Sequence, residues 1–88
     1  MRPYSALLAE LISKELLPLR SRNKLTQEAM AERLHISSRA YSDLERGKYC
    51  ASAATLMFLL PMFNAAKQQA LFHHFLSQAK ILEEDDAA

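Results

Sequence analysis

Glycine is nearly absent from this chain of 88 residues, since Gly47 is the only one, and valine and tryptophan do not occur at all. The β-branched residues are few: Ile12, Ile36, Ile81, Thr26 and Thr55. That scarcity speaks against strands, which favour such side chains on a pleated surface. Cys50 is the only cysteine. An internal disulfide is therefore excluded, and nothing implies an oxidising compartment. Long apolar runs are missing too. The longest, Leu56 to Phe63, is too short to cross a bilayer and is interrupted by Pro61. Met1 to Ser5 has neither the basic region nor the apolar run of a signal peptide. A soluble, cytoplasmic protein is the expectation.

An excess of charge of one sign is also lacking, as the net charge is only +1. Its distribution is more informative. Residues 1–49 hold nine Lys and Arg against six Asp and Glu, a balance of +3. Residues 50–88 hold two Lys against four acids, a balance of −2, and all four acids are the terminal run Glu83, Glu84, Asp85 and Asp86. A cationic body with a short acidic end is compatible with phosphate binding, although such an end is usually only solvating.

Half of the residues are apolar, enough for one domain with a modest core. They recur at three- and four-residue spacing, the helical period. Tyr4, Leu7, Leu8, Leu11, Ile12, Leu16 and Leu19 form a stripe that only Glu15 breaks, with Pro18 expected to bend or restart this first helix. Thr26 is a good N-cap for a second helix, whose inward positions are Ala29, Met30 and Leu34. Ser37 caps a third, ending at Gly47. Ser52 caps a fourth through Leu60, and a fifth runs from about Ala65 to Leu82. Met57, Phe58, Met62 and Phe63 are expected in the core. The pattern implies an all-α fold, a compact five-helix orthogonal bundle forming one domain over residues 1–82, with 83–88 an acidic, disordered tail. The second and third helices are too short to persist alone and must be held by the others.

The stretch from Leu25 to Lys48 resembles the phage-repressor-like (XRE-type, Cro-like) helix-turn-helix family. The resemblance rests on the opening Leu25-Thr26-Gln27, the small Ala31, the Ile36-Ser37 turn, the close Leu44-Glu45-Arg46-Gly47-Lys48, and then Ser52 with Thr55-Leu56. It covers roughly residues 20 to 63 and implies a lambda-repressor-like DNA-binding domain with its helix-turn-helix core at 26–47. Ile36, Tyr41 and Leu44 would fix the third helix to the core, leaving Ser38, Arg39, Ser42 and Asp43 on its outward face. Readers of this kind present the start of that helix to base edges in the major groove. Arg39 can donate twice to guanine, Ser38 and Ser42 can donate or accept, and Asp43 can accept from cytosine. Gln27 matches the family glutamine that anchors a phosphate at the start of the second helix. Arg22, Lys24, Arg46 and Lys48 are candidate phosphate contacts, which position without specifying. The resemblance makes Arg20 and Glu45 a structural brace. His35 stands where the family usually has glycine at a turn of positive φ, so His35→Gly is expected to raise stability by about 0.5–1 kcal/mol.

These features imply sequence-specific binding of double-stranded DNA by a small transcriptional regulator, a repressor or an activator, dimeric on a two-fold operator. Leu71, Phe72, Phe75, Leu76 and Ala79 give the fifth helix a broad apolar face, equally suited to a homodimer contact or to packing over the first helix. A protein-interaction module on the same fold, such as an antitoxin-like adaptor, is the alternative, favoured by the modest charge and by Asp43. His73 and His74 diverge on a helix and lack a third ligand at metal spacing. Cys50 lacks a catalytic partner. No cofactor, metal, small-molecule ligand, membrane association or enzymatic activity is expected.

Overall fold

The computed structural model describes residues 3–87, with side chains described through Glu84. Asp85 and Asp86 of the acidic run therefore have no side-chain description. Five α-helices succeed one another: α1 (Pro3–Arg22), α2 (Gln27–Leu34), α3 (Ser38–Glu45), α4 (Ala53–Leu59) and α5 (Ala65–Ala87). A single 3-10 turn, Leu60–Met62, sits between α4 and α5 with Pro61 inside it. The described residues contain no strand.

Local chemistry starts each middle helix. The hydroxyls of Thr26, Ser37 and Ser52 accept from the backbone N–H groups of Ala29, Ala40 and Thr55 at 3.0, 3.0 and 3.1 Å. Each satisfies a donor that the first turn leaves unpaired. Asn64 Oδ1 does the same for Lys67 at the start of α5, at 2.8 Å.

The first three helices also stop alike. After α1 the chain turns at Lys24 (φ 54°), after α2 at His35 (φ 58°) and after α3 at Gly47 (φ 73°). At each turn the residue with positive φ donates its N–H to a carbonyl three residues back, and the next residue donates to one five back. The pairs are Lys24 to Ser21 with Leu25 to Arg20, His35 to Glu32 with Ile36 to Ala31, and Gly47 to Leu44 with Lys48 to Asp43. These bonds close the carbonyls left open at a helix end. At Gly47 a Cβ would be strained by the positive φ and would also come within 3.2 Å of Ser13 Oγ on α1, which would have to shift.

The core gathers Ile12, Leu16 and Leu19 from α1, Met30, Ala31 and Leu34 from α2, and Tyr41 and Leu44 from α3. Ala51, Leu59 and Phe63 close it from the α4 side. Ala31, 2 % exposed, lies where α2 and α3 pack together. α5 is different: α1 is its main neighbour, reached through buried Ala79, while Leu71 packs against the core. Glu15, the one break in the α1 stripe, pairs with Lys67 at 3.2 Å and so ties the start of α5 to α1.

Four expectations change. α1 runs unbroken through Pro18 to Arg22. The carbonyl of Lys14, which proline cannot satisfy, belongs to an exposed turn (both residues are exposed), where water can take it. α4 ends at Leu59, because Pro61 tightens the next three residues into a 3-10 turn. α5 continues past Leu82 through the good helix formers Glu83 and Glu84. Met57 and Phe58 are not core residues, being 65 % and 48 % exposed; Phe58 instead meets the His35 ring, centroids 4.4 Å apart and planes at 45°.

That ring contact revises the expectation for His35. Removing the side chain relieves the left-handed backbone but forfeits an aromatic pair of about 0.5–1.5 kcal/mol, so His35→Gly should leave stability nearly unchanged. Lys24 has no such compensation, and Lys24→Gly should stabilise by about 0.5–1 kcal/mol. Chemical denaturation of the two variants beside the parent checks both, and a larger gain at residue 35 than at 24 would contradict this assignment.

Candidate nucleic-acid interface

The buried side of α3, Tyr41 and Leu44, fixes the rotation of the helix and leaves the opposite side outward. There Ser38 and Arg39 are exposed, and Ser42 and Asp43 are half-buried. Arg39 forms no ion pair or side-chain hydrogen bond among the described residues, so its guanidinium is available. Asp43 is engaged: Lys48 approaches it at 3.7 Å from beyond the end of the helix. Tyr49, to which the sequence assigns no role, donates its hydroxyl to the carbonyl of Ala40 at 3.1 Å and folds the segment after Gly47 back along α3. Burial pushes its phenol up, and the negative charge of Asp43 adds to this. Only its position after the glycine turn could have signalled that role.

The residues in question for phosphate lie at the other end of α3. Arg22 and Lys24 are exposed in the turn after α1, and Arg46 and Lys48 are exposed just after α3. These segments meet because Arg20 and Glu45 join them. Arg20 Nε reaches Glu45 Oε2 at 3.0 Å and a terminal guanidinium nitrogen reaches Oε1 at 3.1 Å, a two-point contact between side chains only 19 % and 12 % exposed. The remaining arm of Arg20 donates to the carbonyl of Leu25 at 3.2 Å. Gln27, the first residue of α2, does not point freely outward, as its amide nitrogen donates to Glu45 Oε1 at 3.2 Å. Its neighbourhood to Glu45 carries no sequence signal, because the two are 18 residues apart.

Electrostatics agree with this geometry. Burial opposes the charged form of Glu45, but hydrogen bonding from Arg20, the nearness of the Tyr41 hydroxyl, and hydrogen bonding from Gln27, with the Arg20 charge, outweigh it and hold the carboxyl below its ordinary value. Bonding to Glu45 raises the Arg20 value. The Tyr41 hydroxyl is fully buried beside the pair without completing a hydrogen bond, and its phenol is pushed far up, first by burial and then by Glu45. Among the described residues no group of three His, Cys, Asp or Glu could hold a metal. No helix among them is long and apolar enough to cross a membrane.

Because the folded-state value of Glu45 is depressed, its contribution to stability is complete above its ordinary value of 4.5 and is lost as pH falls through the lowered folded value. Arg20→Met should destabilise by about 2 kcal/mol at neutral pH, since it leaves a largely buried carboxylate unpaired. The deficit should narrow as the pH drops and Glu45 takes up a proton. Thermal melts of parent and variant from neutral to acid pH check this; a deficit that stays constant would assign the loss to packing alone.

Residues 19–60 match a family model described as Helix-turn-helix. No curated protein and no solved structure matches the chain. The matched segment runs from the last turn of α1 to the first residue of the 3-10 turn, and so includes the brace, both short helices, the exposed face of α3 and α4. Residues 19–60 are a helix-turn-helix domain of the XRE-type, Cro-like family, whose members are DNA-binding regulators.

Proposed function

We propose that this protein is a cytoplasmic, sequence-specific regulator of transcription that binds a two-fold operator as a dimer, with α3 in the major groove. The observation that carries the reading is α3 itself: a helix pinned by Tyr41 and Leu44, capped by Ser37, and presenting an unpaired Arg39 between Ser38 and Ser42. In this reading Arg39 reads guanine, Ser38 and Ser42 read adjacent base edges, and Asp43 accepts from cytosine when Lys48 turns to a phosphate. Gln27, Arg22, Lys24, Arg46 and Lys48 take the phosphates. α3 has eight residues and is therefore about 12 Å long. The cations past its end thus stand roughly 10 Å along the axis from Ser38 and Arg39, while Lys48 stands beside Asp43 at 3.7 Å, an arrangement that suits base and backbone contacts made together.

The dimer contact is assigned to the exposed part of the α5 face. Ala79 is buried against the rest of the chain and Leu71 packs on the core, so neither is available for it. Phe72 and Leu76 are 56 % and 61 % exposed and rim an apolar cleft of about 320 Å³ that Leu8, Leu11, Leu56 and Leu60 also line. Protruding apolar side chains beside an apolar cleft suit an isologous contact, in which each copy fills the other.

Fluorescence anisotropy with duplexes selected from a random pool tests the reading. Affinity should fall steeply with salt, by a slope of about 0.9 per phosphate contacted. Arg39→Ala should cost about 1–3 kcal/mol on the selected duplex and far less on a scrambled one. Light scattering should give a dimer, and Leu76→Glu a folded monomer with weakened binding. Absence of duplex binding even at low salt would favour a protein-interaction or antitoxin-like adaptor, and a parent that is monomeric at tens of micromolar removes the dimer.

A further inference from the structure

The carboxylate of Glu45 serves two partners on one oxygen. Oε1 accepts from Arg20 at 3.1 Å and from the side-chain amide of Gln27 at 3.2 Å, while Oε2 accepts from Arg20 at 3.0 Å. The last residue of the reading helix is thereby joined to the end of α1 and to the first residue of α2. A planar amide has two N–H bonds on its nitrogen, roughly 120° apart. Engaging one of them on a fixed acceptor sets the amide plane and hence the direction of the other. A glutamine held only by its backbone would sample many rotamers and lose that freedom on meeting a phosphate. Charge matters equally, since a bare carboxylate beside Gln27 would repel a phosphate. Here the two-point contact with Arg20 offsets it, and the donor rather than the acid meets the anion.

We propose that Glu45 is a positioning residue for the phosphate contact: it aims the second N–H of Gln27 outward and holds that donor at a set distance from the reading face of α3. This rests on the DNA-binding reading above. The Arg20–Glu45 pair then does more than hold helices together. It transmits the placement of a backbone phosphate, met at the start of α2, to the register of Arg39 on α3, because Gln27 and the end of α3 share one carboxylate.

The test is a double-mutant cycle of Gln27→Ala and Glu45→Gln, read in affinity, salt slope and melting temperature on the full chain. Gln27→Ala should weaken binding by roughly five- to tenfold and leave the salt slope nearly unchanged, because a neutral amide displaces no counterion. Glu45→Gln should weaken binding by a similar factor without lowering the slope, since it removes an acid and not a cation, and adding it to Gln27→Ala should weaken binding less than about twofold further. Full multiplication of the two losses, or unweakened binding in Glu45→Gln with only a lower melting temperature, would make Glu45 a brace and nothing else. A second measurement needs neither DNA nor a stable variant. Nitrogen-15 relaxation of the side-chain amides in the free protein should give Gln27 a high order parameter beside exposed Gln69; equal mobility overturns the proposal. If Gln27 is ordered but the parent shows no salt-sensitive duplex binding, the DNA-binding reading fails, and the positioning role falls with it.

Discussion

The pairing of Arg20 with Glu45 is the contact on which the geometry of this domain turns. α2 and α3 are eight residues each, too short to hold a helical form by their own hydrogen bonds. Apolar packing through Met30, Leu34, Tyr41 and Leu44 holds them to α1, but packing alone is non-directional and tolerates small rotations and slides. The two-point contact at 3.0 and 3.1 Å does not. It sets the end of α3 against the end of α1, and the third arm of Arg20 sets the turn between α1 and α2 against both. A mostly buried ion pair adds little net stability, because desolvation consumes much of its attraction. Its value here lies in orientation: the proposed reading of a groove by four side chains of α3 requires one rotation of that helix.

Compact spacing between the helices depends on a second constraint, three turns through positive φ. Connections of a few residues between α1, α2 and α3 are possible because each helix ends by turning the chain through the left-handed region and closing its last carbonyls on the two amides beyond. Gly47 sits at a turn against α1, where a Cβ would crowd Ser13. Lys24 and His35 occupy turns with room for a side chain, at some backbone cost. His35 recovers part of that cost from the Phe58 ring, which also accounts for a large aromatic lying half exposed on α4.

How much of the fold could be read from the sequence depends on how local each signal is. Thr26, Ser37 and Ser52 cap helices through bonds spanning three residues, and the positive φ at His35 and Gly47 is dictated by two adjacent helical periods that must be joined. The turn at Lys24 gave no such sign, since lysine has no special liking for that conformation and Asn23 beside it is the better candidate. Instead Asn23 bonds its side chain back to the carbonyl of Leu19 at 2.8 Å. Hydrophobicity misplaced Met57 and Phe58 inside and left the burial of Ala79 open, because a helix with apolar residues most of the way round does not say which side meets the core. At the candidate site, the outward face of α3 was legible from period alone. The meeting of Gln27 with Glu45, and the folding of Tyr49 onto Ala40, were not, as both depend on how helices distant in sequence cross.

The balance of charge acquires a meaning once the contacts are known. A domain that binds phosphates is expected to be clearly basic, and this chain carries only +1. Several of its acids, however, face cations of the same molecule: Glu10 meets Lys14, Glu15 meets Lys67, Asp43 meets Lys48 and Glu45 meets Arg20. Glu83 and Glu84 lie at the far end of α5, which packs chiefly on α1. Arg22, Lys24, Arg39 and Arg46 are exposed around α3 and the turns that flank the brace. Asp43 is the informative exception. Paired with Lys48, it takes one cation out of the non-specific attraction that any duplex would exert. In the proposed DNA-binding role, a sequence offering cytosine to Asp43 would release Lys48 to the backbone, and an acid on α3 would then weaken indiscriminate binding more than binding to the right site.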